Sequence, residues 1–283
     1  MDLAAYFDRI GYDGPRTANA AVLEAIAHRH ALSIPFENLD AWLGLPVSLE
    51  PDAVFDKLVI RRRGGWCFEQ NLLLGNVLRE LGYDVTDLGG RVVWGRTADA
   101  ISARTHRLLR VRCDGREWLA DAGFGGLTPT GVLDLNSVDE QPTPHEPFRL
   151  RRLPPGSAGV QETLLEALVR GEWLPMYRFD LQPQQPVDFE PANYQLSTDP
   201  QSRFVKGLVV TRPTATSRPV LRDLDLIVYS AQGASEPRAL RKLAELRQVL
   251  EQMFGLDLTG LDGLEARFER DMNPDQMASP TRS

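Results

Sequence analysis

Hydrophobic residues in the first 82 positions recur at the three- and four-residue spacing of amphipathic helices. The pattern predicts four helices, which begin behind Asp2, behind Thr17, at Pro51 and near Cys67. Aspartate and threonine are favourable N-caps, and proline is tolerated in the first turn of a helix. The fourth helix is expected to end at Gly82. The sequence therefore predicts an N-terminal helical bundle over residues 1–82.

From Tyr83 onward the hydrophobic period changes to the two-residue alternation of β-strands. The strand-like segments read YDVTDLGGRVVWGR, HRLLRVRCDGREWLADAGFGG, FRLRRL and TLLEALVRGEWLPMYRF. Turn pairs such as Asp114-Gly115 separate the strands. We therefore expect an antiparallel sheet or barrel over residues 83–192.

A proline-rich segment, LQPQQPVDFEP over 181–191, is predicted to be an extended connector. The unit that follows, 193–283, contains the strand-like stretches SRFVKGLVVTRP and PVLRDLDLIVYSA. A long helix is expected after them, with one apolar face formed by Leu240, Leu243, Leu250 and Met253. Two or three domains are the natural expectation for a chain of 283 residues.

Charge and composition narrow the possible functions. The net charge of −7 and the pI near 5.3 argue against nucleic acid or an anionic membrane as the main partner. The first residues lack the features of a signal peptide, and no apolar run approaches the roughly 18 residues of a membrane span. Two cysteines, Cys67 and Cys113, are too few for a disulfide framework. We expect a soluble cytoplasmic protein with free thiols.

Cys67 follows two glycines in RRRGGWCFEQN and stands at the predicted start of the fourth helix. The free N–H groups and positive dipole end at such a position stabilise a thiolate, and three arginines add positive charge nearby. Gly64 and Gly65 would let backbone or an acyl group approach the sulfur closely. The alternative interpretation is a small, buried hydrophobic residue. Cys113, near a predicted hairpin turn, shares none of these features and is assigned no role.

A nucleophilic thiol needs a base, and the chain has only four histidines. His28 and His30 lie on the second predicted helix, where a structural role is favoured. His145 lies in the proline-rich loop QPTPHEP and is expected to be solvated. His106, on a predicted strand, is therefore the candidate base.

His106 is predicted to lie near a carboxylate across a hairpin. If Asp114 and Gly115 form a two-residue turn, Leu108 pairs with Asp121. His106 shares a strand face with Leu108 and becomes the diagonal neighbour of Asp121, roughly 7–8 Å away by backbone. A histidine beside a carboxylate is a base with the group that orients it. The alternative is a surface His–Asp pair among arginines.

The glycine-rich stretch DAGFGG, residues 121–126, has neither the dinucleotide-binding nor the P-loop spacing. It is predicted to be a turn whose N–H groups donate to an acyl oxyanion or to a pyrophosphate. The alternative is a simple β-turn without such a role. No Cys/His pair has the spacing of metal ligands, so no metal site is expected.

Three of these segments, RGGWCFEQN, THRLLRV and WLADAGFGG, resemble the active-site blocks of the arylamine N-acetyltransferases. IPFENLD at 34–40 and NYQLSTDPQSRFVKGLVV at 193–210 resemble two further blocks of that family, so the resemblance covers essentially the whole chain. It implies an α+β, three-domain cysteine acyltransferase. The implied domains are a helical bundle over 1–82, an antiparallel β-barrel over 83–192 and an α/β lid over 193–283.

The resemblance also implies roles for individual residues. Carried over by motif, Cys67 is the nucleophile, His106 the base and Asp121 the orienting carboxylate. The implied polar support around this triad is formed by Glu37 and Asn71. The implied apolar lining of the acceptor pocket is formed by Phe36, Val93, Phe124 and Phe204. The glycines implied to lie near the pantetheine and pyrophosphate of CoA are Gly125 and Gly126.

Two features distinguish the chain within the family pattern. Trp66 stands where Tyr or Phe commonly precedes the cysteine, which keeps an aromatic residue at that position. The loop between barrel and lid lacks the insertion of vertebrate members, which indicates a bacterial enzyme. The resemblance also implies a role in xenobiotic metabolism.

The implied activity is N-acetylation of arylamines or arylhydrazines by a ping-pong route through an acetyl-cysteine, with acetyl-CoA as cosubstrate and no metal. One alternative within the fold is an amide synthase that closes a macrolactam from a carrier-bound polyketide. Another is a hydrolase or crosslinking enzyme of the transglutaminase or cysteine-protease type, which shares the Cys–His–Asp order. A non-catalytic binding protein is the alternative outside the enzymes.

Overall fold

The structure is a computed structural model and describes residues 1–155, 159–231 and 233–272. These residues form an α+β fold with three parts: a helical part, a sheet curled into a nearly closed barrel, and a second sheet backed by helices. The predicted fold class is confirmed.

The helical part occupies the first 82 residues. Its elements are α1 (Leu3–Ile10), α2 (Ala20–Ser33), β1 (Phe36–Glu37), α3 (Leu39–Leu43), α4 (Pro51–Phe55) and α5 (Cys67–Glu80). Asp2 caps α1 as expected, whereas α2 begins later than predicted because Asn19, not Thr17, accepts the N–H of Val22. A π-helical turn, Asp56–Ile60, extends α4. The four predicted helices are therefore present, and α3 is additional.

Helix α5 is the centre of this part. Eleven of its fourteen residues are buried, including three consecutive polar side chains, Glu69, Gln70 and Asn71. A helix that is buried all round needs a partner for every polar group. Gln70, for example, bonds His30 and the carbonyl oxygens of Pro35 and Gly65. These bonds fix α5 against the chain that precedes it.

The barrel sheet contains seven antiparallel strands in the spatial order β5-β4-β3-β2-β8-β7-β6. They are β2 (Asp84–Val92), β3 (Arg104–Cys113), β4 (Arg116–Ala120), β5 (Leu133–Asp134), β6 (Phe148–Arg152), β7 (Thr163–Val169) and β8 (Glu172–Pro183). Cys113 pairs with Arg116 around the Asp114-Gly115 turn, as the sequence predicts. The register of the β3–β4 hairpin is thereby set by its two-residue turn.

The third part begins with α6 (Pro186–Thr198) and α7 (Arg203–Lys206). Its strands are β9 (Val209–Thr211), β10 (Ser217–Arg222), β11 (Asp225–Ser230), β12 (Gly233–Ala234) and β13 (Arg238–Ala239). The helices α8 (Leu243–Gln248), continued by a π-helical turn over Val249–Met253, and α9 (Leu264–Met272) follow. Strand β1 pairs with β9, so the N-terminal segment completes this sheet.

Two details of the third part differ from expectation. The extended connector predicted over 181–191 is wrong, because β8 continues to Pro183 and α6 starts at Pro186. Proline is favourable in a first helical turn, and Asp188 accepts the N–H of Gln185 as in a capping box. The late helix starts at Leu243 and not at Leu240.

The domain limits stay predictions. The limit placed between 192 and 193 falls inside α6, which runs across it. Within the described ranges, no helix has the length and apolar character needed to cross a membrane.

Candidate active site

The β3–β4 hairpin brings His106 against Asp121. Leu109 pairs with Ala120, so Leu108 lies opposite Asp121, the first residue beyond β4. His106 Nε2 lies 2.7 Å from Asp121 Oδ2, and both side chains are almost completely buried. The hairpin thus places the two groups together as its turn predicts, and inside the protein, not on its surface.

The second carboxylate oxygen of Asp121 is also satisfied. Oδ1 accepts hydrogen bonds from Asn71 Nδ2 and from the N–H of Gly123, each at 2.9 Å. Asn71 Oδ1 in turn accepts the N–H of Ala122 at 3.0 Å. Burial alone would raise the pKa of Asp121, but the His106 charge and these hydrogen bonds hold it below its ordinary value. Asp121 is therefore ionised and fixed in orientation.

His106 is positioned by aromatic rings as well as by Asp121. Its ring meets Phe124 edge-on, with centroids 5.5 Å apart, and lies 4.7 Å from the ring centroid of Tyr177. Burial lowers the pKa of His106, but Asp121 and the neighbouring Cys67 thiol outweigh this effect and raise it to about 10. Because Nε2 is bonded to Asp121, Nδ1 is the ring nitrogen available to Cys67.

Cys67 is the first residue of α5 and only 8% exposed. Its sulfur lies 3.6 Å from the carbonyl oxygen of Thr105, on the strand that carries His106. Around it are packed aromatic and aliphatic side chains: Phe36, Trp66, Phe68, Phe189 and Val209. The sulfur thus lies at a helix N-terminus and beside the protonated imidazole of His106.

The glycines before Cys67 have a different role from the one expected. A β-carbon at Gly64 would lie 2.2 Å from the Pro35 carbonyl oxygen, and one at Gly65 would lie 2.6 Å from Glu69 Oε2. Both glycines therefore admit neighbouring backbone and a buried carboxylate, not an acyl group at the sulfur. The glycine that lies against the cysteine is Gly123, whose β-carbon would be 2.6 Å from Cys67 Cα.

Three of the four predicted pocket residues lie beside the triad. Phe36 packs in the same cluster as Cys67 and lies 6.2 Å from Phe204, centroid to centroid. Phe124 contacts His106 and, like Phe204, is half-buried. Val93 is completely buried and its N–H donates to the Met176 carbonyl oxygen, so it presents no surface to a ligand in this structure.

The glycine loop after Asp121 is held in place by the third part of the molecule. Gly125 has φ +93°, and its N–H donates to Thr128 Oγ1 at 3.1 Å. The Arg218 guanidinium donates to the carbonyl oxygens of Gly126 and Thr128. The N–H groups of Gly123 and Gly125 are thus already used within the protein. A β-carbon at Gly126 would meet nothing closer than 3.8 Å, which leaves space beside the loop.

Of the two predicted supporting residues, only Asn71 contacts the triad directly. Glu37 instead accepts hydrogen bonds from Arg63 and from the N–H of Leu39. It belongs to a group of charged side chains, with Asp40, Lys57, Arg63 and Glu69, that the sequence analysis did not identify. These residues come from separate segments of the chain, so no sequence motif indicates that their side chains meet.

Tyr177 is a second residue that the sequence did not reveal. Its hydroxyl oxygen is buried without a hydrogen-bond partner, near the Asp121 carboxylate. Burial, followed by the negative charge of Asp121, raises the pKa of the phenol well above its ordinary value. Strand β2 pairs with both β3 and β8, and this non-local pairing brings Tyr177 to His106 across Gly90.

The remaining histidines and the second cysteine lie outside this site. His30 is buried between Tyr6 and Gln70, in keeping with a structural role. The expectation of a solvated His145 is wrong, because its ring bridges Thr130 Oγ1 and the Thr214 carbonyl oxygen. Cys113 is half-buried, and burial raises the pKa of its thiol. The described part of the chain contains no group of three or more acidic, His or Cys side chains suited to a metal ion.

Comparisons with known proteins show which proteins the chain is similar to. Residues 19–262 match a family model described as N-acetyltransferase. The arylamine N-acetyltransferase of Mycolicibacterium smegmatis is 44% identical over 271 residues, which cover 94% of this chain and 96% of that protein. The Escherichia coli K12 protein of the same name is 39% identical over 267 residues, covering 94% and 92%.

A solved structure provides a comparison in three dimensions. The Mycobacterium marinum arylamine N-acetyltransferase in complex with CoA is 38% identical and superposes with a TM-score of 0.88. The match covers 96% of this chain and 99% of that chain. The similarity therefore extends over the helical part, the barrel and the third part together.

Proposed function

Because the chain belongs to the arylamine N-acetyltransferase family and is an acyltransferase, we propose that it acetylates arylamines and arylhydrazines through an acetyl thioester on Cys67. The observation that carries this proposal is the buried His106–Asp121 hydrogen bond beside a cysteine at the N-terminus of α5. A nucleophile, a base and a group that orients the base are thereby within reach of one another.

In the first half-reaction the Cys67 thiolate attacks the carbonyl carbon of acetyl-CoA. The bond from Cys67 Sγ to that carbon forms as the bond from the carbon to the CoA sulfur breaks. His106, protonated at neutral pH, gives its proton to the departing CoA thiolate. CoA leaves as a thiol, and the enzyme holds an acetyl-cysteine and a neutral imidazole.

In the second half-reaction the neutral His106 acts as the base. It takes a proton from the amine nitrogen as that nitrogen attacks the acetyl-cysteine carbonyl carbon. The bond from the carbon to Cys67 Sγ breaks, the acetamide leaves, and the thiolate–imidazolium pair is restored. Asp121 holds the imidazole in one orientation throughout and stabilises its charged form.

The surroundings of Cys67 suit an aromatic acceptor. Phe36, Phe124 and Phe204 offer ring faces and edges near the sulfur, and we assign them to the acceptor pocket. Their packing excludes water, which would otherwise hydrolyse the acetyl-cysteine. The space beside Gly126 is the place we propose for the pantetheine arm of the acyl donor.

Both cysteines carry free thiols in the described chain. A nucleophilic thiol is kept reduced in a reducing compartment, so we assign the enzyme to the cytoplasm.

Intact-protein mass spectrometry tests the first half-reaction. Incubation with acetyl-CoA should add one acetyl group, and a simple arylamine such as aniline should remove it as the acetanilide. Cys67→Ser should take up no acetyl group, whereas the matched control Cys113→Ser should behave as wild type. Wild-type protein that stays unmodified would contradict the proposal.

The same experiment separates the alternatives. A dedicated amide synthase would scarcely transfer acetyl to the arylamine, and a hydrolase would release acetate at a rate independent of the amine. Acetyl-CoA consumption that rises with amine concentration supports transfer.

A further inference from the structure

Five ionisable side chains form what we call the buried charge cluster: Glu37, Asp40, Lys57, Arg63 and Glu69. Arg63 lies 2.8 Å from Glu37 and 2.9 Å from Asp40. Lys57 Nζ lies 2.6 Å from Asp40 and 2.7 Å from Glu69. The cluster thus joins the segment after α2, the π-helical turn and the loop before α5 to the first turn of α5.

Glu69 is the member of the cluster that contacts the backbone next to the nucleophile. Its Oε1 accepts from Lys57 Nζ, and its Oε2 accepts the N–H of Trp66 at 3.1 Å. Trp66 directly precedes Cys67, and the same carboxylate fills the space beside Gly65. Because one carboxylate touches two of the residues before Cys67, its position determines where the first turn of α5 begins.

The charges in the cluster do not balance. Three carboxylates share two cations, and Glu69 has only Lys57, which it shares with Asp40. Burial is the largest influence on Glu69, and with the negative charges of Asp40 and Glu37 it outweighs Lys57 and raises the pKa of Glu69 to about 7. Burial by itself would lower the pKa of Lys57, but the negative charges of the three carboxylates hold that pKa above its ordinary value. Lys57 therefore stays charged while Glu69 titrates.

We propose that Glu69 is a positioning residue whose ionised carboxylate holds the Trp66–Cys67 backbone in the reactive geometry, so that its protonation lowers the reactivity of Cys67. The inference rests on the proposed role of Cys67 as nucleophile, but not on the identity of the acyl donor or acceptor. Protonation weakens the charge-assisted bonds from Trp66 and Lys57 and frees the first turn to move. Small displacements of a nucleophile are costly to its reaction.

His106 and Asp121 do not produce such a titration themselves. The pKa of His106 is raised to about 10 and that of Asp121 lies below its ordinary value, so both keep their charge from about pH 5.5 to 8.5. Buried His30, with its pKa lowered to about 4, is neutral over the same range. A loss of Cys67 reactivity centred near pH 7 that disappears in Glu69→Gln would accordingly report on Glu69.

The test measures the rate of iodoacetamide alkylation of Cys67, by peptide mapping, across this pH range. In wild type we expect the rate to fall about tenfold between pH 8 and pH 6, since that is the change in the ionised fraction of a group with pKa near 7. Glu69→Gln should give a pH-independent rate at or below the wild-type rate at pH 6. Lys57→Met, which removes the cation, should move the midpoint to higher pH.

A matched control is Glu245→Gln. Glu245 holds the third position of α8 and accepts the N–H groups of Arg241 and Lys242, so it repeats the capping arrangement away from the triad. The pH profile of Cys67 alkylation in Glu245→Gln should equal that of wild type. Circular dichroism and thermal unfolding establish that each variant is folded before its profile is compared.

A flat wild-type profile would overturn the inference, as would a Glu69→Gln profile that keeps the wild-type midpoint. If Glu69→Gln does not fold, the Lys57→Met profile decides the matter, because an unmoved midpoint would overturn the inference. Failure of the proposed function is distinguishable, since alkylation requires no acetyl-CoA. A protein that shows the Glu69-dependent titration but takes up no acetyl group would refute acetyl transfer and leave the positioning role intact.

Discussion

Gly123 lies so close to Cys67 that a β-carbon added to it would be 2.6 Å from the Cys67 Cα. The same glycine donates its N–H to Asp121 Oδ1 at 2.9 Å. The loop after β4 and the first turn of α5 therefore meet backbone to backbone, without a side chain between them. The distance between the nucleophile and the histidine–carboxylate pair depends on this contact.

Gly123→Ala should separate the two halves of the triad. Because real β-carbons do not approach another atom within 3.0 Å, the loop or the helix must move. Overpacking of this kind costs about 1–3 kcal/mol of stability, and we expect activity to fall by more than the fraction of unfolded protein explains. Thermal unfolding and kcat/KM measure the two effects. Gly89→Ala, where a β-carbon meets only ordinary contacts at 3.5 Å, is the control. Equal activities of the two variants would contradict the prediction.

Asp121→Asn should abolish most of the activity in a protein that still folds. The amide keeps the shape of the carboxylate but removes the charge that holds His106 protonated, so the pKa of His106 should fall. In a comparable triad the loss is about 10⁴-fold in kcat. Steady-state rates with acetyl-CoA and an arylamine measure it, and Asp139→Asn, on the surface, is the control. Near-normal turnover by folded Asp121→Asn would rule out the orienting role of Asp121.

The parts of the site that the sequence predicts are those set by local rules. A two-residue turn fixes the register of a hairpin, and that register places His106 beside Asp121. Apolar residues at helical spacing after Gly64 and Gly65 predict the α5 helix, and therefore the position of Cys67 at its N-terminus. The resemblance to a known family then joins these two local features into one site.

The parts that the sequence does not predict depend on distant contacts. Strand β1 is only two residues long, and it exists because Phe36 and Glu37 find Thr211 and Val210 as partners. The buried charge cluster is assembled from separate segments in the same way, and its charged residues taken one by one are typical of a solvated surface. Proline in the 181–191 segment is compatible with an extended connector or with the first turn of a helix. The capping hydrogen bond to Asp188 favours the helix.

Iodoacetamide should label Cys67 well before Cys113 near pH 6. At that pH an ordinary thiol with a pKa of about 8.5 is well below 1% ionised, and burial raises the pKa of Cys113 further. Cys67 lies beside a protonated His106 and at a helix N-terminus, the electropositive setting in which reactive cysteines are found. Peptide mapping after partial labelling gives the ratio of labelled Cys67 to labelled Cys113. Prior incubation with acetyl-CoA should protect Cys67 from the label. Comparable labelling of the two cysteines would mean that Cys67 is not activated.

His30 should make the protein less stable in acid. Burial, with a smaller contribution from the Arg9 charge, lowers the pKa of His30 to about 4, although the Gln70 hydrogen bond opposes this. The unfolded chain therefore binds a proton from about pH 6.5 downward, whereas the folded protein does not until about pH 4. Stability should fall across this window, by up to about 3 kcal/mol from this one group.

His30→Gln removes the titration and should therefore have a shallower loss of unfolding free energy between about pH 6.5 and pH 4. Glu69, whose raised pKa has the opposite effect on stability, is present in both proteins and cancels from their difference. Urea unfolding at several pH values measures the two slopes. His28→Gln, on the same helix but only half-buried, serves as the matched control. If wild type and His30→Gln lose stability in parallel, His30 is not the group that is forced to stay neutral in the folded protein.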